Sequence, residues 1–264
     1  MAEFQFKERY DVNDLVEIMR ILRAPGGCPW DAEQTHESIK KNLIEETYEV
    51  IEAINKNDKE LLCEELGDTL MQVVFLAQME KEAGVFDFDD VSDGVCKKLI
   101  ERHPHVFGEV TISGVDDVLT NWDAIKRKSK GQKSTTESMQ SVPRELPALM
   151  RATKLQKKAA DVGFDWNDVS GALDKLEEEI GELRAAIANK DKENMTEELG
   201  DILFSAVNVS RFIKTDAEEA LTAASDKFLS RFTTVEALAK ERDIDMKSVG
   251  IDELDKLWDE AKAK

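Results

Sequence analysis

The chain has 264 residues, 41% of them apolar and 35% charged, and carries a formal net charge of −20 at pH 7. That acidity argues against a protein that grips a nucleic-acid backbone, which needs a basic surface to displace counterions; it leaves open a nucleotide that arrives with its own divalent metal. Nowhere do 18 apolar residues run together, and the opening MAEFQFKERYDVN lacks the apolar stretch of a secretion signal, so neither a membrane partner nor export is expected.

Helical periodicity begins at Val12 and runs to Leu22, with Leu15, Ile18, Met19 and Leu22 spaced by three and four, until Ala24-Pro25-Gly26-Gly27 breaks it. A second helix is predicted from Thr35, a candidate N-cap, to Ile54, with Leu43, Val50, Ile51 and Ile54 on one side. Asp58 opens a third that reaches Ala83 and stops at Gly84. A fourth starts near Asp87 or Asp89 and ends before Pro104, and a short fifth spans Val115–Lys128. The stretch RKSKGQKSTTESMQS at 127–141 is polar and aperiodic and reads as the junction between two halves. Further helices are predicted over Leu146–Ala160, Val169–Ala188, Asp191–Ile213, Asp216–Lys240 and Ile251–Lys262. No segment alternates with period two for long enough to be a strand. The expected fold is all-α: residues 1–128, a linker at 129–143, and residues 144–264, each half an antiparallel bundle of four or five helices. Cys28, Cys63 and Cys96 are odd in number and form no CxxC pair, which fits a reducing, cytoplasmic compartment.

The two halves repeat one another. Residues 45–75 align without gaps on residues 178–208, with 15 of 31 positions identical. The shared positions include Glu45, Glu46, Glu49, Glu65 and Asp68, matched by Glu178, Glu179, Glu182, Glu198 and Asp201. Acids three apart on each of two adjacent antiparallel helices can converge on one site. No Lys or Arg lies three or four residues from Glu46 or Glu49, whereas Lys175 can reach Glu178 or Glu179. A divalent cation would supply the missing charge, and all-oxygen ligands select hard ions, Mg²⁺ or Mn²⁺. The same acids also suit an ordinary solvated helix face. Two features weigh toward a site. The helix carrying Glu65 and Asp68 continues as Leu70, Met71, Val73, Val74, Phe75, Leu76 and Met79, apolar all round and so expected to be buried. Gly67 and Gly200 stand mid-helix beside the acids, where a close helix crossing or a ligand would account for them.

Two further spacings recur. Lys98 and Arg102 are matched by Lys227 and Arg231, and Trp122 and Lys126 by Trp258 and Lys262. Paired cations on one helical face suit a phosphate chain, and a Trp one turn before a Lys can stack on a base; each also fits a solvated basic pair and an aromatic cap on a bundle end. His103-Pro104-His105 lacks a third metal ligand and reads as a helix-ending loop. Glu33 and His36 have the spacing of a di-iron motif but straddle a helix start. No Walker A motif, GxGxxG or Ser/His/Asp set is present.

These residues together resemble the double-domain MazG-type nucleoside triphosphate pyrophosphohydrolases of the all-α NTP pyrophosphatase superfamily. The resemblance covers nearly all of residues 11–262 and rests on EExxE followed by ExxD in both halves, CPWD at 28–31, HPHVF at 103–107 and GFDW at 163–166. It implies hydrolysis of an NTP between the α- and β-phosphates to NMP and pyrophosphate, with loose base preference that extends to dNTPs. It implies Mg²⁺ on Glu179, Glu182, Glu198 and Asp201, and Glu178 beside them to orient or deprotonate water. Lys227 and Arg231, with Lys175, would take phosphate charge; Glu197 falls among the substrate-binding positions; Trp258 and Lys262 would close over base and phosphate. The resemblance also implies a homodimer and places the main site in the second half. Yet the first half keeps Glu45, Glu46, Glu49, Glu65, Asp68, Lys98, Arg102, Trp122 and Lys126 as a second candidate site. The alternative to an enzyme is a non-catalytic helical interaction module that a metal stabilises.

Overall fold

Short acceptor side chains set most helix starts in this chain. In the computed structural model, which describes residues 4–110, 114, 118, 122, 125 and 131–263, twelve helices and no strand are present among the described residues. The chain divides into two compact units, Met1–Lys126 and Arg127–Lys264.

The first unit holds α1 (Val12–Arg23), α2 (Pro29–Glu33), α3 (His36–Lys56), α4 (Lys59–Glu82), α5 (Phe88–Arg102) and α6 (Pro104–Phe107). Asp11 and Asp14 form a capping box at α1, Thr35 and Ser38 one at α3, Asp87 and Asp90 one at α5. The predicted bounds hold to within one or two residues. The five-residue α2, too short to show a period, was not expected; Arg23 ties it to α1 by donating from Nη1 to the Asp31 carbonyl at 2.6 Å. α3 pairs with α4 along its length, and α1 closes over α4. Met19, Ile39, Val74, Phe75 and Met79 form the core there. The helix beginning at Val115 falls outside the described residues except at positions 118, 122 and 125, and Lys126 lies outside them altogether.

The second unit holds α7 (Thr135–Gln140), α8 (Ala148–Ala160), α9 (Val169–Asn189), α10 (Lys192–Phe212), α11 (Ala217–Glu241) and α12 (Ile251–Ala263). α7 corrects part of the expected linker. Ser134 caps it, Lys158 Nζ donates to Ser138 Oγ at 2.5 Å, and Ser138 and Val142 are buried. These contacts come from α8, twenty residues away, and leave no trace in local periodicity. α9 pairs with α10 as α3 does with α4, α8 lies against α10 and α11, and Val235, Leu238, Ala239, Leu257 and Ala261 form a core between α11 and α12.

The repeated hairpins turn identically. Asn57 and Lys190 are left-handed at φ 52° and 60°, and the next amides, of Asp58 and Asp191, donate back to the Ala53 and Ala186 carbonyls. This is a Schellman turn followed at once by an N-cap. Ala53 and Ala186, 0% and 1% exposed, let the paired helices close on it. A lysine is a poor residue for a left-handed position. Lys190→Gly is therefore expected to stabilise the second unit by about 0.5–1 kcal/mol, read as a rise in its melting temperature.

Expected all-round burial of α4 holds only toward its C-terminal half. Gln72, Val74, Phe75, Ala77, Gln78 and Met79 are buried, but Leu66 and Leu70 are 52% and 39% exposed. The second unit repeats this exposure at Leu199 and Leu203, 51% and 50% exposed.

Candidate active site

Each hairpin gathers its acids where the paired helices face one another. Glu46 and Glu49 come from α3 and Glu65 from α4; Glu179 and Glu182 come from α9 and Glu198 from α10. In each set one oxygen per residue lies within 4.8 Å of the others. Glu65, Glu179 and Glu198 are buried, Glu46 is half-buried and Glu49 and Glu182 stand at the rim. Glu45 and Glu178 are exposed, so on each helix one acid of the EE pair turns inward and the other stays in solvent. Asp68 and Asp201 lie outside the tight sets, but near enough that Asp68 raises the Glu46 pKa and Asp201 that of Glu198.

The two sets differ in what balances them. Burial, then the charge of Asp68, pushes Glu46 above the ordinary glutamate range, and its hydrogen-bond donor is Gln72 Nε2 at 3.3 Å. Burial and Glu49 push Glu65 up in the same way. In the second set Lys175 Nζ lies 2.6 Å from Glu179 Oε1 and 2.9 Å from Glu178 Oε1. That ammonium holds Glu179 below the ordinary range, while burial and then Glu182 raise Glu198. Buried, like-charged oxygens converging from two helices are costly unless a cation joins them. Their hard, all-oxygen chemistry and spacing fit a small divalent ion, and Glu179, Glu182 and Glu198 are the residues that can hold one in the second unit.

Beyond the acids α10 carries Phe204, Asn208 and Arg211, turned away from the Glu198 face. There a cavity of about 650 Å³ opens between α7, α8, α10 and the GFDW loop. Its polar lining is sparse. Gln156 is 7% exposed, gives its amide Nε2 to the Phe204 carbonyl at 2.8 Å, and keeps a buried Oε1 with no partner. Arg211 grips Asp165 at 2.8 and 2.5 Å and donates to Asn208 Oδ1 at 2.8 Å, which pins the loop. Trp166 lies against Gly171, where an added methyl would meet its ring at 2.7 Å. By the helix rise of 1.5 Å per residue, Asn208 stands about 10 Å along α10 from Asp201. In the first unit the equivalent positions are Met71, Phe75 and Gln78, and Phe75 fills the core with Arg23 over its ring at 5.2 Å. Periodicity marks both stretches alike; only packing distinguishes an open cavity from a filled one.

Other expected residues lie elsewhere. Lys227 and Arg231 sit on α11, Trp258 and Lys262 on α12; among the described residues no ion pair or hydrogen bond joins them to the acids. Trp258 packs on Phe228 at 5.2 Å between ring centres, and Lys262 pairs with Asp259 at 2.9 Å. Glu197 is exposed beside Glu198. In the first unit Trp122 is held by Arg102 and by His103, 5.4 and 4.9 Å away, and Lys98 is exposed on α5. His36 Nε2 lies 2.8 Å from Glu80 Oε1, and neither Glu33 nor His36 belongs to a cluster of metal-ligating side chains among the described residues, which gives the di-iron reading no support. The glycines also need correction: a methyl built on Gly67 or Gly200 meets nothing within 4 Å, so no close helix crossing accounts for either.

Two all-α units, each carrying a carboxylate-lined helical hairpin, define the class of protein to which this chain belongs. The model of the MazG nucleotide pyrophosphohydrolase domain matches it twice, over residues 34–107 and 167–236. The nucleoside triphosphate pyrophosphohydrolase of Escherichia coli strain K12 is 44% identical over 254 residues, 95% of this chain and 97% of that protein. The nucleoside triphosphate pyrophosphohydrolase/pyrophosphatase MazG of Thermotoga maritima is 45% identical over 249 residues, 94% of each. The uncharacterized protein YabN of Bacillus subtilis is 49% identical over 248 residues, 93% of this chain and 50% of its own length. The chain belongs to the MazG nucleotide pyrophosphohydrolase family. Membership makes it an enzyme, and the non-catalytic module is set aside.

Proposed function

We propose that the second unit hydrolyses nucleoside triphosphates, dNTPs included, between the α- and β-phosphates to give NMP and pyrophosphate. One observation carries this reading: Glu179, Glu182 and Glu198, the first and last of them buried, bring one oxygen each to within 4.8 Å of one another, with Lys175 bonded to Glu179. The carboxylates, joined by Asp201, would hold Mg²⁺ or, in its place, Mn²⁺, which would supply Lewis acidity there. Glu178, exposed beside Glu179, orients or deprotonates the attacking water. Lys175, Lys227 and Arg231 neutralise phosphate charge, Glu197 borders the substrate, and Trp258 and Lys262 cover base and phosphate. The first unit keeps its acids as a second candidate, but it lacks a lysine matching Lys175, and turnover is assigned to the second.

The test is a product assay across several NTPs with Mg²⁺. NMP and pyrophosphate in equal amounts are expected; NDP with phosphate, or no consumption, would sink the reading.

A homodimer is the assembly we propose, because both hairpins expose an equivalent apolar stripe: Ile54, Leu66 and Leu70 in one, Ile187, Leu199 and Leu203 in the other. Leu199→Glu with Leu203→Glu is expected to weaken self-association, seen as a lower mass in light scattering. An unchanged mass would place the contact elsewhere. No helix among the described residues is long and apolar enough to cross a membrane, and the acidic surface disfavours nucleic acid. Three free cysteines suit the reducing cytoplasm, where we place the enzyme.

A further inference from the structure

The most buried acid of the second site is already engaged. Glu179 is 4% exposed, and Lys175 Nζ sits 2.6 Å from it and 2.9 Å from Glu178. The first unit has Asn42 at the matching position, and Gln72 is the one hydrogen-bond donor to its Glu46 among the described residues. Resting on the reading of the second site as an NTP-hydrolysing centre, we propose that Lys175 ties cation uptake to nucleotide arrival.

A divalent ion entering among Glu179, Glu182 and Glu198 meets an ammonium bonded to one of its own ligands. Two cations on one carboxylate repel, so the ion alone gains little unless Lys175 leaves. Leaving for bulk water forfeits two charge-assisted hydrogen bonds. A triphosphate changes the balance, because its oxygens give the ammonium new acceptors as the carboxylate is handed to the cation. The lysine needs only rotamer changes on a flexible four-carbon stem, and its side chain is 36% exposed, which leaves it room to swing. The second site thus takes free cation weakly and takes cation and nucleotide together strongly. The first site lacks this lysine. Its Glu65, 9% exposed, accepts no hydrogen bond among the described residues and faces Glu46 and Glu49, so it gains from a cation without any nucleotide.

Titrating the full-length chain with Mn²⁺, followed by the paramagnetic resonance of the free ion, tests this directly. The probe is run with and without an NTP analogue carrying a methylene between the α- and β-phosphorus. Wild type should bind one ion tightly and a second one only with the analogue. Lys175→Met should tighten the second ion roughly ten- to a hundredfold in the absence of analogue, and the analogue should then add little. A merely structural loss would not tighten binding. Asn42→Lys should do the reverse in the first unit and weaken its ion, while Glu46→Gln identifies which isotherm belongs there. Should Lys175→Met and wild type give the same isotherms while wild type still releases pyrophosphate, the coupling is wrong and the reading of the site survives. Should wild type bind no analogue and release no pyrophosphate, the reading itself falls, and the coupling with it.

Discussion

Glu179→Gln is expected to lower kcat by about a thousandfold or more, while Glu46→Gln keeps most of the wild-type rate. Glutamine preserves the shape of the buried side chain and removes its charge. The lost charge takes with it a ligand of the proposed ion, whose contribution to the transition state amounts to several kcal/mol, each 1.4 kcal/mol being a factor of ten. It also strips Lys175 of its closest acceptor. Glu46 occupies the matching place in the first unit, but the helix beyond it is packed with Phe75, where the second unit opens a cavity. Pyrophosphate release at saturating Mg²⁺ reports both variants, with circular dichroism confirming that each is folded. Equal losses from the two would mean that both units turn over substrate.

The second large effect joins pH to divalent cation. Glu46, Glu65 and Glu198 bind their protons more tightly in the folded protein than in the unfolded chain, chiefly because they are buried. Stability from such groups is fully present below the ordinary glutamate value of 4.5 and is lost as pH rises through their raised values. Glu179 runs the other way. Lys175 lowers its pKa, so its contribution is present above the ordinary value and lost as pH falls through the lowered one. As pH rises through those raised values the three acids take on charge, and a divalent ion then has most to offer. As pH falls through the raised values protons take over that part and compete the ion away. At a hundred times its Kd an ion adds about 2.7 kcal/mol, roughly 5–10 °C in Tm for a unit of this size. Calorimetry with Mg²⁺ against EDTA should show that gain at pH 7.5 and little of it at pH 5. A gain of the same size at both would mean that the ion binds somewhere other than among these acids.

Much of the fold was legible because its signals are local. The caps at Asp11, Thr35, Asp58, Asp87, Asp191 and Asp216 are single side chains bonded to amides two or three residues on, and each stands where the hydrophobic period begins. The acid pairs were equally plain, since spacing of three on a helix places two side chains on one face. Other features depend on distant partners. Glu45 and Glu46 are adjacent and alike in sequence; α4 packing against α3 brings Glu46 inward to Gln72, while Glu45 stays in solvent. The polar run holding α7 looked like linker because its order comes from Lys158 and α8. Gly67 and Gly200 suggested a tight crossing, whereas the space beside each is open.

The amino-acid sequence alone determined the helix caps, the tandem hairpin and the family to which both copies belong, because these follow from neighbours a few residues apart. Tertiary structure decided which acids converge, that Lys175 rather than solvent balances Glu179, and that a cavity opens beside Asn208 while Phe75, at the matching position, is buried in the first unit's core. The physical reason is the same in each case. Burial and charge balance are set by side chains that meet across helices, and a periodic pattern names the face of a helix but not what lies against it.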